Sequence, residues 1–162
     1  MTSTPRLRAA IFMMAACAIV LAALSLQTVD RFVLAAKAVQ TCEFGLKDVR
    51  FAEETRKLTL VITVSNKAPR YIVVDDLRFS LYLDDAFIVT NPESRLETMI
   101  AAGKSTEQQY VMALEPYFAE RLGGDRAAAG IWRVSGQALI RIEDIRPRLP
   151  ARVNLRKAAT GR

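Results

Sequence analysis

The stretch from Ala9 to Leu26 constrains this chain more than any other. It holds no charged residue, no proline and no glycine. At ~1.5 Å per residue, its roughly 18 residues make a helix of ~27 Å, close to the hydrocarbon thickness of a bilayer. Nothing polar marks a solvent-facing stripe, so the reading is a transmembrane anchor over residues 9–26. Ala9, Ile11, Phe12, Ala16, Val20, Leu21, Ala23 and Leu24 are its membrane-embedded residues. Arg6 and Arg8 sit just before it and favour a cytoplasmic N-terminus (residues 1–8). The C-terminal domain is then periplasmic or extracellular, and the chain is a single-pass membrane protein.

Two processed forms compete with an uncleaved anchor. A cleaved signal peptide has a shorter apolar core and a small-x-small site. Here the core is longer, and Ala36-Lys37-Ala38 lies far downstream. A lipoprotein signal would be cut before Cys17, after Met14-Ala15-Ala16. The residues beyond, Ala18 to Leu26, stay apolar where a mature lipoprotein turns polar. Residues 27–41 read as a juxtamembrane helix or linker. Val29, Phe32, Val33 and Ala36 recur at helical spacing and form one apolar contact face. Such a face needs the chain's own domain, the headgroup layer or a partner subunit to lie on.

The net charge is +6, and the chain has no histidine. That removes the usual neutral-pH general base and the commonest metal ligand. No metal and no cofactor are expected. Basic residues cluster late, at Arg146, Arg148, Arg152, Arg156, Lys157 and Arg162. They read as a solvated strand face, with attraction to anionic lipid or an acidic partner as the alternative. Elsewhere bases and acids are interleaved, which argues against nucleic acid. Cys17 and Cys42 do not form an intrachain bridge, because one lies at membrane depth; Cys42 reads as a buried thiol.

From Cys42 the apolar period changes from helical to two. Phe44 to Phe51 is a strand whose parity flips between Leu46 and Val49, which predicts a bulge. Leu58, Leu60, Ile62 and Val64 then share one face, and the two runs make a hairpin. Tyr71 to Val74 is a β-prone run followed by Asp75-Asp76. Leu77, Phe79, Leu81 and Leu83 mark the next strand, with Asp84-Asp85 as a tight turn into Ala86 to Thr90. Asn91-Pro92-Glu93-Ser94 ends that strand. Leu96 to Ile100 is a short strand, residues 101–105 turn, and Gln108 to Leu114 returns. Pro116 opens one short helix in which Tyr117, Phe118 and Leu122 can pack, closed by Gly123-Gly124. Ile131 to Glu143 and Leu149 to Arg156 are the last pair, with Pro150 consistent with an edge strand. Seven or eight short strands after one anchor predict a mainly β protein. Its domain over residues 42–157 is an antiparallel β-sandwich of immunoglobulin or fibronectin III type, followed by a tail at 158–162.

Three places resemble the type 2 late-embryogenesis-abundant family, also called the water-stress and hypersensitive-response (WHy) domain. Leu58 to Asn66 looks like that family's strand ending in asparagine before a proline loop. Here Lys67 follows the asparagine and proline comes only at Pro69. Leu77 to Leu83 with its hairpin is similar to the family's next strand pair. Ile100 to Thr106 is similar to its next turn, and Trp132 to Gly136 after a short helix is also compatible. The resemblance spans roughly residues 43–157. It implies a small sandwich, often membrane-anchored, with no catalytic residues to carry over and a role in stress protection or simple binding.

No motif carries chemistry beyond this. Asp84-Asp85 fits a hairpin turn. Asp75-Asp76, if close to it, could hold calcium, although the spacing matches no calcium loop. Residues 123–126 and 103–105 lack the rest of a phosphate loop. Without histidine a serine triad is excluded. The chain therefore reads as non-enzymatic, an accessory or scaffolding subunit of a larger membrane complex. Its partners are the bilayer and membrane-protein subunits. The alternatives are a stand-alone stress-protective or lipid-binding module and, last, a hydrolase using a carboxylate pair.

Overall fold

The computed structural model describes residues 5–91, 95–123, 126–143 and 148–158. Pro92, Glu93, Ser94, Gly124, Arg146 and Arg162, singled out above, lie outside the described residues. The chain divides into two compact units, Met1–Leu34 and Ala35–Arg162.

Helix α1 runs Pro5–Thr41, 37 residues. Within it, Phe12–Thr41 is long and apolar enough to cross a membrane. The hydroxyls of Ser25 and Thr28 donate back to the carbonyls of Leu21 and Leu24, both at 2.8 Å. They are satisfied inside the helix and need no water.

Eight strands follow among the described residues, and the mainly β class stands. Strands β1 (Cys42–Ala52), β2 (Lys57–Asn66) and β6 (Ser105–Ala113) form a three-stranded sheet in the order β1-β2-β6. The second sheet has the order β4-β3-β7-β8, from β4 (Ala86–Asn91), β3 (Ile72–Leu83), β7 (Ile131–Ile142) and β8 (Leu149–Ala158). Strand β5 (Arg95–Ile100) adds to β3 beside β4. All pairings are antiparallel. The inner faces meet in one core. Leu58, Leu60, Ile62 and Val64 lie opposite Leu77, Leu81, Trp132, Val134 and Ile140, each no more than 2% exposed. Each such aliphatic side chain contributes ~1.5–3 kcal/mol through burial.

The bulge predicted in the first strand is present. The register shifts between Leu46 and Asp48, leaving Lys47 unopposed, and its freed carbonyl accepts a hydrogen bond from Lys157 Nζ. That bond links β1 to β8 at one side of the sandwich. Strand β8 is an edge strand, as Pro150 required.

Four expectations are corrected. Residues 72–74 and 77–83 belong to one strand, β3, because a bulge at Asp75 absorbs the parity change without ending the pairing with β7. Strands β5 and β6 are not a hairpin. Ile100 pairs with Ile72 and Ser105 with Ser65, so the turn between β5 and β6 arches from one sheet to the other. After α2 (Pro116–Leu122) comes a further single turn, α3 (Arg126–Ala129). Within α2, Leu122 and Ala119 are buried, while Tyr117 is 62% exposed.

Candidate functional site

The sites expected from sequence fall on α1. Phe12, Val20, Leu21 and Leu24 are exposed along it, as are Ala16 and Ala23. Arg6, Arg8, Ala9 and Ile11 lie in the helix, with side chains outside the described set. Val29, Phe32 and Val33 are 58%, 48% and 47% exposed. Ala36 is exposed too. A shallow apolar groove of about 480 Å³ lies among Leu21, Leu24, Thr28, Val29, Phe32 and Val33. One turn later, in the β-unit, Ala35 and Ala38 are each 1% exposed, small enough to pack where the helix meets the first strand.

Where β2 ends, Asn66 is fully buried. Its Nδ2 donates to the carbonyls of Arg70 (2.8 Å), Ile100 (2.9 Å) and Ala101 (3.2 Å), and its Oδ1 accepts from Ala68 N (2.9 Å). Its backbone N–H reaches Lys104 O at 2.9 Å, and the next residue's reaches Thr41 O at 3.1 Å. One side chain therefore ties the proline loop, the β5–β6 arch and the end of β2 together. The signal was in the sequence: a lone amide closes an apolar run and is followed by a proline loop that cannot pair with a strand.

Asp75 sits on the β3 bulge and is 4% exposed. Arg141 Nε binds both its oxygens (2.9 and 3.1 Å) and Arg148 Nε the second (3.0 Å). Burying a carboxylate requires such partners. Sequence reading missed this cluster, although a carboxylate directly after Ile72-Val73-Val74 signals a buried charge in search of a cation. Asp84 and Asp85 both have positive φ, 48° and 63°, so this pair is the tight turn between β3 and β4. Asp84 Oδ1 also accepts from Ile131 N at 2.8 Å, and Asp85 pairs with Arg133 at 3.1 Å. The two aspartate pairs stand at opposite ends of β3, ~30 Å of strand apart, and do not meet. Among the described residues, no three His, Cys, Asp or Glu side chains gather as a metal site.

Cys42 is half-buried and not in a disulfide. Burial, and secondarily the neighbouring Glu43 charge, pushes its thiol up to about 12 from 9.0. It is a weak nucleophile in the folded chain.

No family model and no curated protein matches this chain. It is similar to several solved structures at low identity. One is a protein from Archaeoglobus fulgidus, 11% identical, covering 72% of this chain and 94% of that one, with a TM-score of 0.41. Another is a candidate late-embryogenesis-abundant protein, 13% identical, covering 91% and 87%, with a TM-score of 0.41. A candidate lipoprotein of Bacillus subtilis is 17% identical, covering 74% of this chain and 37% of that one, with a TM-score of 0.38. At these values, no activity or partner carries over.

Proposed function

We propose that this chain is a non-enzymatic, membrane-anchored module that serves as an accessory or scaffolding subunit of a larger membrane complex. Its N-terminus is cytoplasmic and its β-sandwich extracytoplasmic. The observation that carries this reading is the apolar face of α1. It runs on through Val29, Phe32 and Val33, beyond the ~20 residues a bilayer crossing needs. An exposed apolar face past the span calls for a neighbouring helix to cover it. The polar features of the sandwich support the same reading. Asn66, Asp75 and Asp84 spend their side-chain bonding capacity on the fold itself.

The test is mild detergent extraction of the full chain from its native membrane, followed by quantification of co-purifying membrane proteins. A stoichiometric partner that is lost on Val29→Glu or Phe32→Glu is expected. A chain that purifies alone from several mild detergents refutes the proposal. The alternative is a stand-alone module of late-embryogenesis-abundant type, favoured by the buried Asn66 ahead of its proline loop. It requires function in a chain that carries no partner, read as protection of a test enzyme from drying.

A further inference from the structure

The register lines up the outward faces of β3, β7 and β8. Arg78 stands beside Gln137 and Arg152; Ser80, Ser135 and Asn154 make the next row; Tyr82, Arg133 and Arg156 make the third. At the other end of the same face, Arg141 and Arg148 close over Asp75. Along the edge strand, Arg148, Arg152 and Arg156 recur every fourth residue, ~13 Å apart. Three residues of what reads in sequence as a basic tail, Arg148, Arg152 and Arg156, therefore form a ladder on one side of one sheet.

Six arginines against Asp75, Asp76, Asp84 and Asp85 leave a net charge of +2 on this face and its turn. Exposure keeps that balance, with Arg78, Arg148, Arg152 and Arg156 exposed against Asp84 and Asp85 in the turn. The side chains of Arg78, Arg148 and Arg156 are 58%, 57% and 67% exposed, whereas those of Asp75 and Asp76 are 4% and 13%. On the sheet itself Asp75 and Asp76 lie beneath the more exposed cations, Arg133 and Arg141 are 28% exposed, and Asp85 in the turn is 68% exposed. Arg133 is fixed twice, by Asp85 and by stacking over Tyr82 at 4.1 Å, and Phe87 packs on the same ring at 6.0 Å.

We infer that this face is the docking surface for an acidic segment or surface of a partner protein. The inference rests on the accessory-subunit reading. Every cation here is arginine, whose planar fork pairs two-pronged with a carboxylate, while lysine contributes none. Protein interfaces are enriched in arginine and aromatic residues and depleted in lysine. A face that serves only solubility or attraction to anionic lipid has no need of the fork. Holding Arg78, Arg133, Arg141 and Arg148 in place beforehand lowers the ordering cost of association.

The test uses the full chain in phosphatidylcholine nanodiscs, with labelled poly-glutamate, an oligothymidine of equal charge and phosphatidylglycerol vesicles as probes. Expected is salt-sensitive binding of poly-glutamate, at least tenfold tighter than of oligothymidine. Arg152→Glu with Arg156→Glu weakens it tenfold or more at unchanged thermal stability, and the double lysine variant is intermediate. These two arginines are exposed and hold no buried aspartate, so the fold is spared. Equal binding of the two polymers, an unaffected double reversal, or binding to the vesicles alone each overturns the inference. Co-purification separates it from its premise. If the wild-type chain brings down a subunit that the double reversal also retains, the docking surface is wrong and the accessory role stands. If the wild-type chain brings down nothing, the accessory role fails, and the poly-glutamate titration still decides the chemistry of the face.

Discussion

The side-chain amide of Asn66 donates a 2.9 Å hydrogen bond to the carbonyl of Ile100, joining the last residue of β2 in one sheet to the last residue of β5 in the other. Ile100 in turn pairs with Ile72, so the bond ties the start of β3 to the end of β2 through the arch.

Asn66→Ala removes this bond and three others and leaves the buried Ala68 N–H without its acceptor. The expected loss is about 2–4 kcal/mol. Asn66→Asp keeps the acceptor but sets a negative oxygen against three carbonyls, and should cost more. Urea unfolding followed through the single tryptophan, Trp132, measures both.

Gly136 faces Phe79 across the β3–β7 pair, and a Cβ there would lie 2.7 Å from both Cα and Cβ of Phe79. Gly136→Ala therefore destabilises by about 1–3 kcal/mol through overpacking. At Gly45 the nearest atom to a built Cβ is Thr63 Cβ at an ordinary 3.9 Å. Gly45→Ala should be neutral or stabilising by a few tenths of a kcal/mol, since it narrows the unfolded ensemble. The same unfolding assay compares them, and equal effects would contradict the packing argument.

Arg141→Met leaves Asp75 buried with the more exposed Arg148 beside it. A loss of about 3 kcal/mol is expected, against less than about 1 kcal/mol for Arg148→Met. A double-mutant cycle with Asp75→Asn should return most of the Arg141 loss as coupling energy; additive effects would show that the pair is not coupled.

With its thiol pushed up to about 12 by burial, Cys42 in a Cys17→Ser chain should alkylate about a thousandfold more slowly at pH 8 when folded than in denaturing urea. The sign of the linkage follows. Because the folded value lies above the unfolded 9.0, the stability contribution is fully present below pH 9 and is lost as pH rises from 9 towards 12. Cys42→Ser removes that alkaline fall, which is read from unfolding curves across the same range.

The elements were legible where one local rule governs them. Leu58 to Val64 and Leu77 to Leu83 alternate because one side of each strand meets a core. The parity flip at Leu46 and Val49 revealed a bulge because a side-chain period of two cannot change phase otherwise. Asp84-Asp85 announced a turn because short polar side chains tolerate positive φ. Pro116 opened a helix because its missing N–H costs nothing there. Asp75 misled, since a carboxylate inside an apolar run reads locally as a break. Its partners, Arg141 and Arg148, lie 66 and 73 positions away in sequence and meet it only through the β3–β7 pairing and the start of β8.

By itself, then, the sequence determined the apolar helix, the strands, their inward faces and most of the turns, because those follow from periods of a few residues. Tertiary structure alone decided that β5 and β6 part into different sheets, that Asn66 and Asp75 are buried and satisfied, and that scattered arginines share one face. Those outcomes depend on which distant strands pair, and pairing is chosen by the free energy of closing the whole core rather than by any local stretch.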